Sequence, residues 1–324
     1  MADRFGQGPS HQIGAGLLEQ IGHTPLVRIR HIGDLPPAVE LYAKLEGFNP
    51  GGSVKDRPVL RMVEDAERAG LLPGSGEMPP ILLDSSSGNA GIAYAMIGAV
   101  KRYRVTLVVP ANVTPERLGT LRAYGAELVL SDPLEGSDGA MRIAQRMAEE
   151  QPERYLYLNQ YANPGNWRAH YDSTGAEVIA QTHGRVTHFV AGVGTTGTLV
   201  GAGRRLREAN PAVEVIAAEP DSALHGIEGW KHLPTAITPG IYDPSVAHRI
   251  VRVTTDEAYA MTRRLAAHEG LFVGISSGAA LAAALQTARG LTDGVIVVIF
   301  PDGGDRYLST PVWREGPAAA PKRV

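Results

Sequence analysis

Four short stretches of this 324-residue chain carry residue types that could do chemistry at one ligand. The first is Asn49-Pro50-Gly51-Gly52-Ser53-Val54-Lys55-Asp56-Arg57. Pro-Gly-Gly signals a loop, with one fixed φ followed by two residues free to take positive φ. A helix-start pattern follows: Ser53 as cap, Asp56 three residues on, then Val59, Met62, Val63 and Ala66 at helical spacing. This places Lys55 in the first turn of a helix, where the partial positive charge of the N-terminus disfavours an ammonium and pushes it toward the neutral amine that a nucleophile needs. Read alone, the window is equally a surface lysine beside a turn. The second stretch, Gly194-Thr195-Thr196-Gly197-Thr198, follows a strand and opens a helix. Its N–H groups, hydroxyls and helix N-terminus make a phosphate cup. It is neither a P-loop nor GxGxxG, so adenine dinucleotides are unsupported; alone it is also an ordinary strand–helix turn. The third, Ser86-Ser87-Gly88-Asn89, suits a carboxylate or a phenolic oxygen, or is a plain cap. The fourth, Gly274-Ile275-Ser276-Ser277-Gly278-Ala279-Ala280, taken singly is a serine N-cap.

The elements that must position these turns alternate. Short apolar runs read as strands at Leu26–Ile29, Leu41–Glu46, Ile81–Asp84, Val105–Val109, Ala126–Leu130, Tyr155–Leu158, His188–Val193, Val213–Ala218 and Val295–Phe300. Helical patterns lie between them, with a Pro115 helix start after Thr114, a long helix over Asn166–Gln181, and later helices at Thr255–His268 and Ser277–Ala288. Asp221–Pro244 reads as irregular. Strand–helix alternation with continuous apolar strands predicts doubly wound parallel α/β sheets. Two such sheets exceed one core and predict a cleft. All four stretches fall at the carboxyl edge of strands or just beyond it, where open α/β sheets bind ligands. A phosphate cup, a reactive amine and hydroxyls aimed at a small ring together describe a pyridoxal phosphate site.

Composition narrows the partners. Net charge is −3, which suggests no polyanion and no nucleic acid. The 10 histidines include no HxxxH or HxH pair, so no metal site is expected. With Cys 0, disulfides, thiolate metal sites and a cysteine nucleophile are excluded, and a reducing, cytoplasmic setting is expected. Residues 1–16 read as a flexible lead-in without a signal-peptide h-region, no apolar run approaches membrane-spanning length, and the tail from Gly316 reads as disordered.

The chain resembles the cysteine synthase (O-acetylserine sulfhydrylase) family of fold-type II pyridoxal-phosphate enzymes. The resemblance rests on Ile21–Val27, Asn49–Arg57, Ser86–Gly91, Tyr124-Gly125-Ala126, Gln160 with Asn163-Pro164, Gly194–Thr198, Glu219-Pro220, Gly274–Gly278 and Arg306–Thr310. It implies two doubly wound α/β domains in three α/β/α layers, tryptophan synthase β-like. Residues 49–163 would form the smaller mobile domain, and 1–48 plus 164–324 the larger one that anchors the cofactor. By this resemblance Lys55 is the Schiff-base lysine and general base. Asn89 partners the cofactor ring hydroxyl, Gly194, Thr195, Thr196, Gly197 and Thr198 hold its phosphate, and Ser277 meets the pyridine nitrogen. Ser86, Ser87 and Gln160 clamp the substrate carboxylate. The implied reaction is β-replacement on O-acetylserine or O-phosphoserine by sulfide or a sulfur-carrier protein, in a homodimer.

Two departures matter. The carboxylate loop usually reads Thr-Ser-Gly-Asn-Thr-Gly; here serine replaces the first threonine and Ala90 the second, removing one hydroxyl donor. In Leu224–His232, Trp230 and Lys231 stand where acetylserine users tend to carry a small glycine-rich turn, which resembles the O-phosphoserine branch. A cation at Lys231 would favour a phosphate leaving group; a solvated loop is the other reading. Other enzymes on the same scaffold are a cystathionine β-synthase-like catalyst, a serine/threonine dehydratase or a β-replacement enzyme with another nucleophile. A non-catalytic binding protein on this fold is the alternative from a different class.

Overall fold

The computed structural model describes residues 16–72, 79–86 and 88–314. The lead-in before residue 16, the C-terminal tail and Ser87 lie outside the described residues. The chain builds two sheets. The larger has the order β1-β2-β10-β7-β8-β9, from β1 (Leu26–Arg28), β2 (Ala38–Leu45), β7 (His188–Gly192), β8 (Glu214–Pro220), β9 (Arg249–Val253) and β10 (Asp293–Phe300). The smaller has the order β5-β4-β3-β6, from β3 (Ile81–Ser85), β4 (Val105–Pro110), β5 (Glu127–Ser131) and β6 (Tyr155–Tyr157). The smaller sheet is parallel throughout. The larger is mixed, because β1 runs antiparallel to β2 at one edge.

Alternate residues of each central strand feed opposite layers. On β3, Leu82 packs with Val59, Met62, Ile92 and Ile97, while Ile81 and Leu83 face Ala140 and Ala144 on the other side. On β10, Ile296, Val298 and Phe300 join the core beneath Ala279–Ala284, and Val297 and Ile299 join the core beneath Leu199 and Val200. Both sheets are therefore covered on both faces, which gives the three-layer arrangement expected of near-continuous apolar strands.

The helices that matter for the site are α1 (Asp56–Arg68), α2 (Asn89–Lys101), α3 (Pro115–Ala123), α4 (Gly136–Glu150), α5 (Pro164–Ala169), α6 (Ala176–Gln181), α7 (Gly197–Ala209), α8 (Thr255–Arg264) and α9 (Ile275–Ala288). The helix expected over Asn166–Gln181 is α5 and α6 joined by a π-helical stretch, His170–Gly175. Strand β9 was absent from the sequence reading. It is an edge strand, largely exposed and carrying Arg249 and Arg252, so it lacks the apolar run that marked the others.

Candidate active site

The Lys55 loop is fixed from both ends of the chain. Gly52 takes φ +78, a turn conformation that favours glycine, and lies against the end of the Arg306 side chain. Ser53 bridges Asp302 and the Val54 N–H donates to the Pro301 carbonyl at 2.8 Å, tying the loop to the end of β10. Lys55 sits one residue before α1 rather than inside its first turn. Ser53 does not cap the helix; its Oγ accepts the Lys55 N–H at 3.2 Å. Asp56 turns back to accept the Gly51 N–H at 2.5 Å, and burial lifts its carboxyl to about 7.

The Lys55 amine is half-buried and has no hydrogen-bond or ion-pair partner among the described residues. Burial lowers its pKa, and the nearby Asp302 charge works against that. Removal from water, rather than the helix N-terminus, is the main cause of the shift. Behind the loop, Arg57 is buried and donates to Glu46 at 2.7 Å and to Glu177 at 2.6 Å, locking the start of α1 onto the turn that follows β2 and onto α6.

A cavity of about 150 Å³ opens where the carboxyl ends of the two sheets meet. Lys55, Asn89, Ser86, Gln160, Gly194, Thr195, Thr196, Thr198 and Lys231 all line it. Thr196 holds φ +69 at the N-cap of α7, and its buried Oγ1 has no partner among the described residues. Gly194 faces the Gly229 carbonyl, which a Cβ would approach to 2.3 Å. A left-handed residue between two glycines, with unused donors at a helix N-terminus, fits a phosphate group. Gly197 is the exception in this turn. It backs onto Asn166 and is not on the wall. Thr198 Oγ1 lies 3.3 Å from His170 Nε2, and burial pulls that histidine down to about 3, so the imidazole is neutral.

Asn89 opens α2 and crosses the cleft. Its Nδ2 donates to Asp302 Oδ2 at 2.7 Å and its Oδ1 accepts from Arg306. Ser86 Oγ accepts the N–H groups of Gly88 at 3.2 Å and Gly91 at 2.8 Å, which shapes the loop and leaves its hydroxyl hydrogen as a donor. Gln160 Nε2 donates to the Ser85 carbonyl at 2.9 Å, so one of its two amide hydrogens is committed.

Two of the expected residues sit in settings that spacing did not foresee. The hydroxyl on the cavity wall at the start of α9 belongs to Ser276, whereas Ser277 is fully buried, is off the wall and has no partner for its Oγ among the described residues. Successive helix residues point about 100° apart, so a one-residue choice moves the hydroxyl out of the site. Lys231 lines the cavity, but its charge is engaged: Nζ lies 2.6 Å from Asp138 Oδ1 on α4 and 5.0 Å over the Tyr161 ring.

Sequence reasoning also missed Arg117, which lines the cavity, and Asp302, a buried partner of the wall residues Asn89 and Tyr307. Arg117 on α3 pairs with Glu228 at 2.5 Å and lies 5.2 Å over the Tyr307 ring. Asp302 accepts from Tyr307 at 2.6 Å and from Asn89; burial raises its carboxyl, and these partners oppose the rise. The only local signal for Asp302 was the Pro301-Asp302-Gly303-Gly304 turn that closes β10. No group of His, Cys, Asp or Glu among the described residues could hold a metal ion, and no described helix is long and apolar enough to cross a membrane.

Comparison with known proteins follows this geometry. Residues 17–302 match the family described as pyridoxal-phosphate dependent enzyme. The chain is 50% identical over 305 residues to cysteine synthase of Aquifex aeolicus, covering 92% of each chain. The crystal structure of cysteine synthase (OASS) from Entamoeba histolytica superposes with a TM-score of 0.89 at 35% identity, covering 96% of this chain and 94% of that one. O-ureido-L-serine synthase superposes with a TM-score of 0.86 at 40% identity, covering 94% of this chain and 96% of that one. The chain belongs to the pyridoxal-phosphate-dependent enzymes, in their cysteine synthase family.

Proposed function

We propose that the protein is a cysteine synthase that replaces the β-substituent of an activated L-serine, O-acetylserine or O-phosphoserine, with sulfur. The observation that carries this reading is a water-poor amine without a partner, Lys55, facing the same cavity as the Gly194–Thr198 turn. Bound there, pyridoxal 5'-phosphate supplies the electron sink that acidifies the substrate Cα–H. Lys55 removes that proton and later returns it. The Gly194–Thr198 turn holds the phosphate, with Gly197 supplying close packing on Asn166 rather than a wall contact. Asn89 is held by Asp302 and Arg306 for the ring hydroxyl. Ser276, in place of Ser277, meets the ring nitrogen. Ser86, Ser87 and Gln160 take the substrate carboxylate.

The two serines separate cleanly. Ser276→Ala should shift the visible band of the bound cofactor and lower kcat, whereas Ser277→Ala should leave the band in place; the reverse pattern would restore the sequence assignment. Lys231 reads as a tie between the loop and α4, because Asp138 already neutralises it. Lys231→Ala should therefore lower kcat/KM for both donors alike, and a loss confined to O-phosphoserine would give Lys231 the leaving-group role instead.

The central test incubates the purified protein with pyridoxal phosphate, sulfide and each donor. Cysteine formation supports the reading. A colourless protein that ignores added cofactor defeats it, and cofactor binding with a product other than cysteine points to another nucleophile, as the likeness to O-ureido-L-serine synthase allows. Turnover with sulfide alone decides against an obligate sulfur-carrier protein. Residues 49–163 as a smaller mobile body, a homodimer and a cytoplasmic location belong to the same proposal and follow the family resemblance; hydrogen exchange, sedimentation and fractionation check them.

A further inference from the structure

Asp84 is a buried acid beneath the cavity that the roles above leave unused. It lies near the end of β3 and is 1% exposed. Its Oδ1 accepts the Ser85 N–H at 2.7 Å. Its Oδ2 accepts the Gln160 N–H at 3.2 Å and the Tyr94 hydroxyl from α2. Gln160 returns a second bond to the same place through Nε2 on the Ser85 carbonyl, and its own carbonyl accepts Asn166 Nδ2 at 2.6 Å. One carboxylate thus joins the strand that launches the Ser86–Asn89 loop to the segment that carries Gln160.

Among the described residues no Lys, Arg or His pairs with this acid. The titratable groups facing it are Tyr94 from α2, Tyr157 from β6 and Tyr161 just beyond it, all held as neutral phenols because burial raises them. Three donors converge on two oxygens. An amide here must turn its NH2 toward one of those donors, and a protonated acid keeps both main-chain bonds only by reversing the Tyr94 hydroxyl and accepts them more weakly than a carboxylate does.

We propose that Asp84 is a positioning residue for the substrate-carboxylate clamp, acting through the Ser85 and Gln160 main chain. The inference rests on the functional reading above for what Ser86 and Gln160 hold. Burial places the Asp84 carboxyl at about 6, against the pull of its three hydrogen bonds. A folded-state value above the ordinary carboxylate range means that the ionised form weakens the fold as pH rises through about 6. Fold stability therefore gives no reason for a charge here, whereas clamp geometry does.

The experiment measures donor KM, kcat and sulfide KM from pH 5 to 8 in the cofactor-loaded protein. Wild-type donor KM should rise about tenfold as pH falls through about 6, with the sulfide KM flat once it is expressed per hydrosulfide ion, because sulfide itself titrates in this range. Asp84→Asn should show the low-pH donor KM at every pH and an unchanged cofactor absorption band. Tyr94→Phe keeps the packing and removes one of the three donors, so it should move the acid limb upward by about one pH unit. Wild-type donor KM in Asp84→Asn, or an unmoved limb in Tyr94→Phe, overturns the proposal. If Asp84→Asn does not fold, the Tyr94→Phe limb decides; if neither folds, a flat wild-type donor KM across pH 6 overturns it and a limb that the donor's own titration does not explain supports it. A wild type that binds no cofactor or makes no cysteine defeats the functional reading instead, and is recognised before any variant is compared.

Discussion

Lys44 and Lys55 are the same side chain in two settings on either side of one bend. Lys44, on β2, gives its three protons to the Thr24 carbonyl at 2.6 Å, Glu177 at 2.6 Å and Gln181 at 2.9 Å. Lys55 gives its protons to no partner among the described residues. Burial lowers both pKa values, with Glu177 opposing it at Lys44 and Asp302 opposing it at Lys55. The direction of the shift therefore does not tell a strut from a nucleophile. The hydrogen-bond inventory does: three acceptors saturate an ammonium, whereas none leaves a lone pair free to react once the proton is gone.

The largest effect should come from removing the free amine. Lys55→Ala should lower turnover at least ~10³-fold, since both the covalent attachment and the proton carrier are lost. It should abolish the visible absorption band of the attached cofactor without lowering the unfolding midpoint of the cofactor-free protein, because the Lys55 side chain makes no hydrogen bond among the described residues. A destabilised Lys55→Ala would mean that this lysine is also structural, and the contrast with Lys44 would fail.

Lys44→Met is the mirror experiment. It leaves Glu177 buried with one cation fewer, although the Arg57 guanidinium still holds that carboxyl below the usual range against the opposing effect of burial. Breaking a buried pair on one side costs about 3–5 kcal/mol, and the retained Arg57 bridge places this case at the low end. The urea midpoint should fall accordingly, while the folded fraction keeps its cofactor band and its donor KM. Lost cofactor binding at full stability would mean that Lys44 reaches the site.

The difference between the lysines was only half legible in the sequence. Pro50-Gly51-Gly52 and the strand–turn–helix pattern mark Lys55, because loop and helix start are written in local residue types. Nothing local marks Lys44, which reads as one more strand residue; its partners arrive from residues 24, 177 and 181. The same reason hid Asp302, Arg117 and the Lys231–Asp138 pair, whose meaning lies in contacts between the two sheets. The doubly wound fold was readable because buried parallel strands are apolar from end to end, and β9 was not because its edge position permits arginines. Ser276 and Ser277 show the limit of spacing: pattern finds a helix start to within a residue or two, and here one residue decides which hydroxyl meets the cavity.

The smallest effect concerns the charge that both separates the lysines and connects Lys55 to the rest of the cleft. Asp302 raises the pKa of Lys55, so Asp302→Asn should lower it, and the neutral amine should appear at lower pH. The rate at which cofactor-free protein captures added pyridoxal phosphate reads this directly, as it rises with pH through the Lys55 titration. The variant's limb should lie lower by up to about one unit, within the range for loss of a nearby opposite charge. An independent check comes from stability. Burial raises the Asp302 carboxyl, with Tyr307 and Asn89 opposing, so the ionised form weakens the fold as pH rises through that value. Asp302→Asn should then gain stability relative to wild type with rising pH, provided that Tyr307 and Asn89 find replacement partners at the amide. A capture limb that moves upward, or not at all, would leave burial as the whole cause of the Lys55 shift and reduce Asp302 to the anchor of Asn89.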